Sequence, residues 1–282
     1  MKAEFLGLFI LWAGTSPASA LSFAVIGDFG DGGILETDVA KQVQSWSPEF
    51  ILTVGDNNYP SGAAATIDRN IGRDYHAFIA PYHGVYGRGA DVNRFFPTLG
   101  NHDWESKNVR PYLAYFVLPG NGRYYDFARG PVHFYAVDSD PREPDGVNAE
   151  SIQARWLKER LAVSTEAFKI VYFHHPPYSS SNKHGSSAWM QWPFKAWGAD
   201  AVLAGHDHTY ERILDPKDGL LYLVDGLGGA QEYGFGPPLS GSRFRYNSDV
   251  GALRVSADEK TMTFEFVSRH GDVIDRYTLK KV

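Results

Sequence analysis

Short apolar runs, each stopped by a Gly, Asp, Asn or His cluster, recur along this chain. Leu21 to Ile26 is apolar and β-prone and stops at Gly27-Asp28. A mixed, helix-like pattern follows from Glu36 to Trp46, with Pro48 just past its end. Phe50 to Val54 is a second buried strand, ending at Gly55-Asp56. Strand, helix and strand in this order predict a βαβ unit with a right-handed crossover. Phe95 to Leu99 stops at Gly100-Asn101-His102, Val132 to Val137 ends at Asp138, and Glu150 to Val163 reads as a helix. Phe168 to Phe173 stops at His174, and Asp200 to Ala204 stops at Gly205-His206. Further on, Leu220 to Val224, Gly251 to Ala257, Thr261 to Ser268 and Val273 to Leu279 read as successive strands with short turns. They suggest an antiparallel meander closing a second sheet.

In open α/β sheets, ligands bind beyond the carboxyl ends of the strands. Five segments stand there: Gly27-Asp28-Phe29-Gly30, Gly55-Asp56-Asn57-Asn58-Tyr59, Gly100-Asn101-His102-Asp103, Val171-Tyr172-Phe173-His174 and Gly205-His206-Asp207-His208. Taken singly they are bland. A Gly-Asp after a strand is usually a turn, and a lone Tyr is usually packing. Together they offer Asp28, Asp56, Tyr59, Asn101, His174, His206 and His208. Two carboxylates, a phenol, a carboxamide and three imidazoles suit two metal ions sharing a bridge. His174 and His175 are adjacent, so only one points inward from an extended strand end, and the Val-x-x-His spacing picks His174.

Composition narrows the chemistry. The 282 residues are 43% hydrophobic and 15% aromatic, enough to bury a large core in one domain or a tight pair. Net charge is −6 and no basic stripe is visible, which argues against nucleic-acid binding. An anionic substrate must then be drawn by metals, not by the surface. The chain has no cysteine, which excludes disulfides, Cys-based zinc sites and Cys nucleophiles. Lys2, the apolar run from Phe5 to Gly14 and the small residues Ala18-Ser19-Ala20 read as a signal peptide over 1–20. The catalytic domain then spans 21–282, and the protein is expected to be secreted or periplasmic. The run is about half the ~20 residues of a membrane span, so no membrane partner is expected after cleavage.

The five segments in this order resemble those of the calcineurin-like metallophosphoesterases, and most closely the purple acid phosphatases. The resemblance implies an α/β sandwich of two mixed β-sheets flanked by helices, with the metals at one sheet edge. It implies that Asp28, Asp56, Tyr59 and His208 hold one metal. Asp56, Asn101, His174 and His206 would hold the second, with Asp56 bridging. Tyr59 discriminates between metals, because a phenol of free pKa near ~10 coordinates only when a strong Lewis acid takes its proton. The wider superfamily commonly has a His where this chain has Gly30. Losing that imidazole beside Tyr59 favours Fe(III) paired with a divalent Fe, Zn or Mn.

The implied activity is an acid phosphatase that hydrolyses phosphate monoesters by attack of a metal-bound hydroxide. A proton donor should stand beside the metals. His102, oriented by Asp103, is the first candidate, and His184 in the polar loop after Tyr178 is the second. Tyr210, Glu211 and Arg212 read as support for the site, and Trp189, Trp192 and Trp197 as core. The Gly- and Pro-rich stretch from Gly226 to Gly241 reads as a loop near the site. The rival readings are a phosphodiesterase or phospholipase with two divalent ions, and a metal- or phosphate-binding module without turnover. Oligomeric state is not encoded in these patterns.

Overall fold

The computed structural model describes residues 20–281, so the signal-peptide reading falls almost entirely outside the described residues. Among the described residues, thirteen strands form two sheets. They are β1 (Leu21–Ile26), β2 (Phe50–Thr53), β3 (Phe95–Pro97), β4 (Tyr125–Arg129), β5 (Val132–Ala136), β6 (Phe168–Tyr172), β7 (Ala201–Ala204), β8 (Tyr210–Leu214), β9 (Leu221–Asp225), β10 (Ser242–Tyr246), β11 (Gly251–Ala257), β12 (Thr261–Ser268) and β13 (Val273–Lys280). One sheet has the order β13-β12-β11-β1-β2-β3 and the other β10-β8-β9-β7-β6-β5-β4. Both are mixed. β1, β2 and β3 run parallel in the first, as do β5, β6, β7 and β9 in the second.

The strand sequences dictate the layering. Leu21, Phe23 and Val25 of β1 enter the cluster between the sheets, while Ala24 and Ile26 join a second cluster on the outer face. β6 divides in the same way. Phe168, Ile170 and Tyr172 face the first sheet, and Val171 packs outward under the helix Ile152–Val163. Period-two alternation with apolar residues on both faces is what a strand covered on both sides requires. The helix Ile34–Ser45 covers the first sheet through Val39, Ala40 and Val43. Phe23 locks the two sheets together. Its ring stacks on Phe50 at 5.1 Å and meets Phe134 edge-on at 5.0 Å.

Two expectations need correction. The C-terminal strands do not close a second sheet as one meander. β11, β12 and β13 extend the first sheet from β1, whereas β9 lies in the second sheet, parallel to β7. The polar-rich strands β4, β8 and β10 were not foreseen at all. Tyr210 and Arg212 of β8 both bond Asp275 of β13, so they tie the two sheets together instead of supporting the strand-end cluster.

Candidate metal centre

The parallel strands bring all five segments to one edge. Asp28, Asp56 and His206 each adopt positive φ, at 55°, 53° and 70°. Such backbone is uncommon for residues with a Cβ and accumulates at functional sites. Each residue turns sharply at its strand end and throws its side chain toward the common centre. Neighbouring glycines permit the crowding. A Cβ on Gly100 would sit 2.2 Å from Asp56 Oδ1, and one on Gly30 would sit 1.7 Å from the Asn57 carbonyl oxygen. Gly30 is therefore required for close packing of two loops, apart from any imidazole it lacks.

Two groups of donors result. In the first, the Tyr59 hydroxyl lies 3.1 Å from Asp56 Oδ2, 3.4 Å from Asp28 Oδ1 and 3.2 Å from His208 Nε2. In the second, His174 Nε2 lies 3.4 Å from Asp56 Oδ2, 3.0 Å from Asn101 Oδ1 and 3.2 Å from His206 Nδ1. Asp56 Oδ2 belongs to both groups. Second bonds aim the imidazoles. His208 Nδ1–H donates to the Gln231 carbonyl at 2.7 Å and His174 Nδ1–H to the Val54 carbonyl at 2.9 Å. In the neutral form of each ring, Nε2 then offers its lone pair to the centre.

This donor set fits cations. Carboxylate, phenol, carboxamide and imidazole lone pairs converge with few protons to share among them. Among the described residues, the groups that ion-pair with Asp28 or Asp56 are His208 and His174, with no Lys or Arg. Protonation states carry the same signature. Burial, then the charges of Asp56 and Asp28, raise the Tyr59 phenol well above its usual range. Burial opposes the Asp56 charge, but His174 and His102 outweigh it and hold the carboxyl below its usual range. Burial also works against a charged His174, yet Asp56 and Asp28 raise it to about 10. The structure thus gathers all seven sequence-chosen donors, and protons alone serve them poorly.

The flanking histidines are both close. The His102 ring lies 4.5 Å from Tyr59, and its Nδ1–H donates to the Pro60 carbonyl at 2.5 Å. Asp103 does not orient it. That buried carboxyl accepts from Gly100 N, Asn57 N and Asn57 Nδ2 and so pins the turn carrying Asn101. Burial and the Asp56 charge push Asp103 up to about 7. His184 stacks on His206 with ring centres 4.2 Å apart. Its loop is held by Asp207, which accepts from His184 N and Gly185 N, and by Glu211, which accepts from Ser180 N and Oγ.

Several neighbours stand closer to the centre than the sequence reading placed them. His175 also turns to the centre: it is buried, its ring is 4.4 Å from His206, and Ser139 Oγ lies 2.9 Å from its Nδ1. The strand bends at this point, so alternation no longer separates it from His174. Arg142 grips Asp140 and donates to the Asn101 carbonyl at 3.0 Å. Tyr233, in the 226–241 loop, stacks on His208 at 4.0 Å with the rings 10° apart. The one signal for Asp207 was its place inside the Gly-His-Asp-His cluster. The loops that carry Arg142 and Tyr233, 140–148 and 226–241, read from the sequence as walls of the pocket, but nothing marked these two residues individually. Trp192 is core, but Trp189 is 40% exposed at the rim.

The structure is a two-sheet sandwich with paired donor groups at its parallel strand ends. The calcineurin-like phosphoesterase family model matches residues 21–210, and the chain belongs to that family. It is 25% identical to tartrate-resistant acid phosphatase type 5 of Mus musculus, across 98% of this chain and 97% of that one. It is 29% identical to purple acid phosphatase 15 of Arabidopsis thaliana, across 77% of this chain and 48% of that one. Among solved structures, GAP50, the anchor in the inner membrane complex of Plasmodium, shares the fold with TM-score 0.73 and 22% identity, covering 94% of this chain and 90% of that one. A purple acid phosphatase from yellow lupin (Lupinus luteus) seeds matches with TM-score 0.72 and 17% identity, over 93% of this chain and 54% of that one.

Proposed function

We propose that this protein is an acid phosphatase of the purple type, hydrolysing phosphate monoesters at two unlike cations. Asp28, Asp56, Tyr59 and His208 would hold Fe(III). Asp56, Asn101, His174 and His206 would hold a divalent Fe, Zn or Mn. The observation that carries the reading is the shared Asp56 oxygen, 3.1 Å from the phenol of one group and 3.4 Å from an imidazole of the other. Long relatives named as acid phosphatases support the same reaction. Bound there, the cations would activate a water for attack on phosphorus and neutralise the phosphate oxygens.

The chain's own residues supply the rest. With Nδ1–H committed to Pro60, His102 is left with Nε2 as the atom that can hold and release a proton to the leaving oxygen. His184 stands at the opposite end of the cluster, against His206, and is the second candidate donor. Asp207 and Asp103 fix the loops that carry these groups and Asn101. Residues 1–20 are read as an export signal, and among the described residues no helix is long and apolar enough to cross a membrane.

The test is turnover of an aryl phosphate and a bis-aryl phosphate by metal-loaded protein across pH. Monoester hydrolysis with an acidic optimum is expected. Preference for the diester at neutral or alkaline pH would favour the phosphodiesterase reading. Two bound metals without turnover of either ester would favour a binding module.

A further inference from the structure

The rim beside His206 carries an exposed aromatic surface that nothing in the cluster's own chemistry requires. Of the tryptophans among the described residues, only Trp189 is exposed, at 40%. Its indole is fixed in place. Trp189 Nε1–H donates to the Ser139 carbonyl at 3.0 Å. The same Ser139 places its hydroxyl 2.9 Å from His175 Nδ1 and accepts the His175 backbone N–H at 2.8 Å. One residue thus holds both rings.

The turn beneath is tied down as well. Ser187 N donates to the Pro176 carbonyl at 2.8 Å, and Trp192 Nε1 donates to the Trp189 carbonyl at 2.9 Å. Met190 and Trp192 are buried under the turn. An exposed side chain on a mobile loop would lack such anchors.

Three rings lead from the rim to the centre. Trp189 lies 5.6 Å from His175, and His175 lies 4.4 Å from His206. The aromatic ring on the other wall is already engaged, because Tyr233 stacks face to face on His208. Trp189 meets His175 at a 57° tilt and is not stacked on it, and 40% of the residue is exposed.

We infer that Trp189 is a specificity-determining platform for a flat aromatic leaving group, so that aryl or heteroaromatic phosphate monoesters are preferred over alkyl ones. The inference rests on the phosphatase reading for the phosphate end of the substrate. The aromatic end rests on the exposed, anchored indole alone.

The test compares phenyl phosphate with glycerol 2-phosphate in metal-loaded wild type, Trp189→Ala and Trp189→Phe. Aromatic stacking of the usual strength corresponds to about a five-fold effect. Trp189→Ala is expected to raise KM for phenyl phosphate by about that factor and to leave kcat and the KM for glycerol 2-phosphate within about two-fold. Trp189→Phe should restore most of the loss. Equal changes for both esters, or no change for either, would overturn the platform. Trp189→Phe also covers the case in which Trp189→Ala fails to fold. If the wild type hydrolyses neither ester, the phosphatase reading fails. Calorimetric titration with phenylphosphonate and methylphosphonate then decides separately: a phenyl preference that Trp189→Phe keeps and Trp189→Ala loses supports the platform, and equal binding of the two refutes it.

Discussion

The two halves of the strand-end cluster share one oxygen and differ in almost everything else. The Tyr59 half offers two carboxylates, a phenol and one imidazole. The His174 half offers the shared carboxylate, a neutral carboxamide and two imidazoles. The first set is rich in anionic oxygen and suits a small, highly charged ion, while the second suits a divalent one. Their supports differ too. The 226–241 loop braces the Tyr59 half, through Gln231 on His208 Nδ1 and Tyr233 on its ring. On the other side Arg142 braces the Asn101 backbone, and His175 packs against His206. Bound as proposed, two ions sharing this bridge would take separate tasks within a single pocket.

The sharpest way to break this asymmetry is to remove the bridge. Asp56→Asn should empty both halves and lower kcat/KM by more than ~10²-fold, beyond what loss of an outer partner costs. Metal analysis showing one ion retained at full strength would mean that Asp56 does not bridge. Next comes the proton donor. His102→Ala should lower kcat by ~10²-fold with metal content intact, within the usual range for a general acid. Metal loss in that variant would place His102 among the ligands. Arg142→Gln frees the Asn101 backbone and should weaken only the divalent ion, by about ten-fold in competition with a chelator. Equal weakening of both ions would show that the halves are not separately braced.

The smallest effect concerns Glu36, which accepts Gly32 N–H just beyond the Asp28 turn. Burial raises its carboxyl well above the usual 4.5, while the Gly32 bond works the other way. A raised folded value means that the folded state holds this proton more tightly than the unfolded chain. Its contribution to stability is complete below the ordinary carboxyl value and is lost as pH rises through the folded one. Glu36→Gln, which keeps the acceptor, should therefore gain stability relative to wild type as pH rises from about 4.5. Denaturant melts at a series of pH values check this, and a constant difference would contradict it.

Much of this was legible in the sequence because function sits where strands stop. Gly27-Asp28, Gly55-Asp56 and Gly100-Asn101 each interrupt an apolar run, so residue type and position spoke together. Strands whose role is to tie sheets spoke less clearly. Tyr210 to Leu214 mixes charge with apolar residues because Arg212 and Tyr210 answer Asp275 across the sandwich. Apolar alternation marked β11, β12 and β13 as strands but does not encode which sheet edge is open to receive them. Asp103 was assigned to His102 by proximity in sequence, yet in space its acceptors face Gly100 and Asn57. Trp189 shared its spacing with core residues, and only the turn after Ser187 separates it from them.

The central claim is that two different ions share Asp56, one of them ferric and bound by the Tyr59 oxygen. Metal analysis and the visible absorption spectrum of purified wild type and Tyr59→Phe test it most directly. The account predicts about two metals per chain, one of them iron, and a phenolate charge-transfer band that Tyr59→Phe abolishes or shifts. A metal-replete wild type with no visible band, or a band unchanged by that substitution, would contradict it.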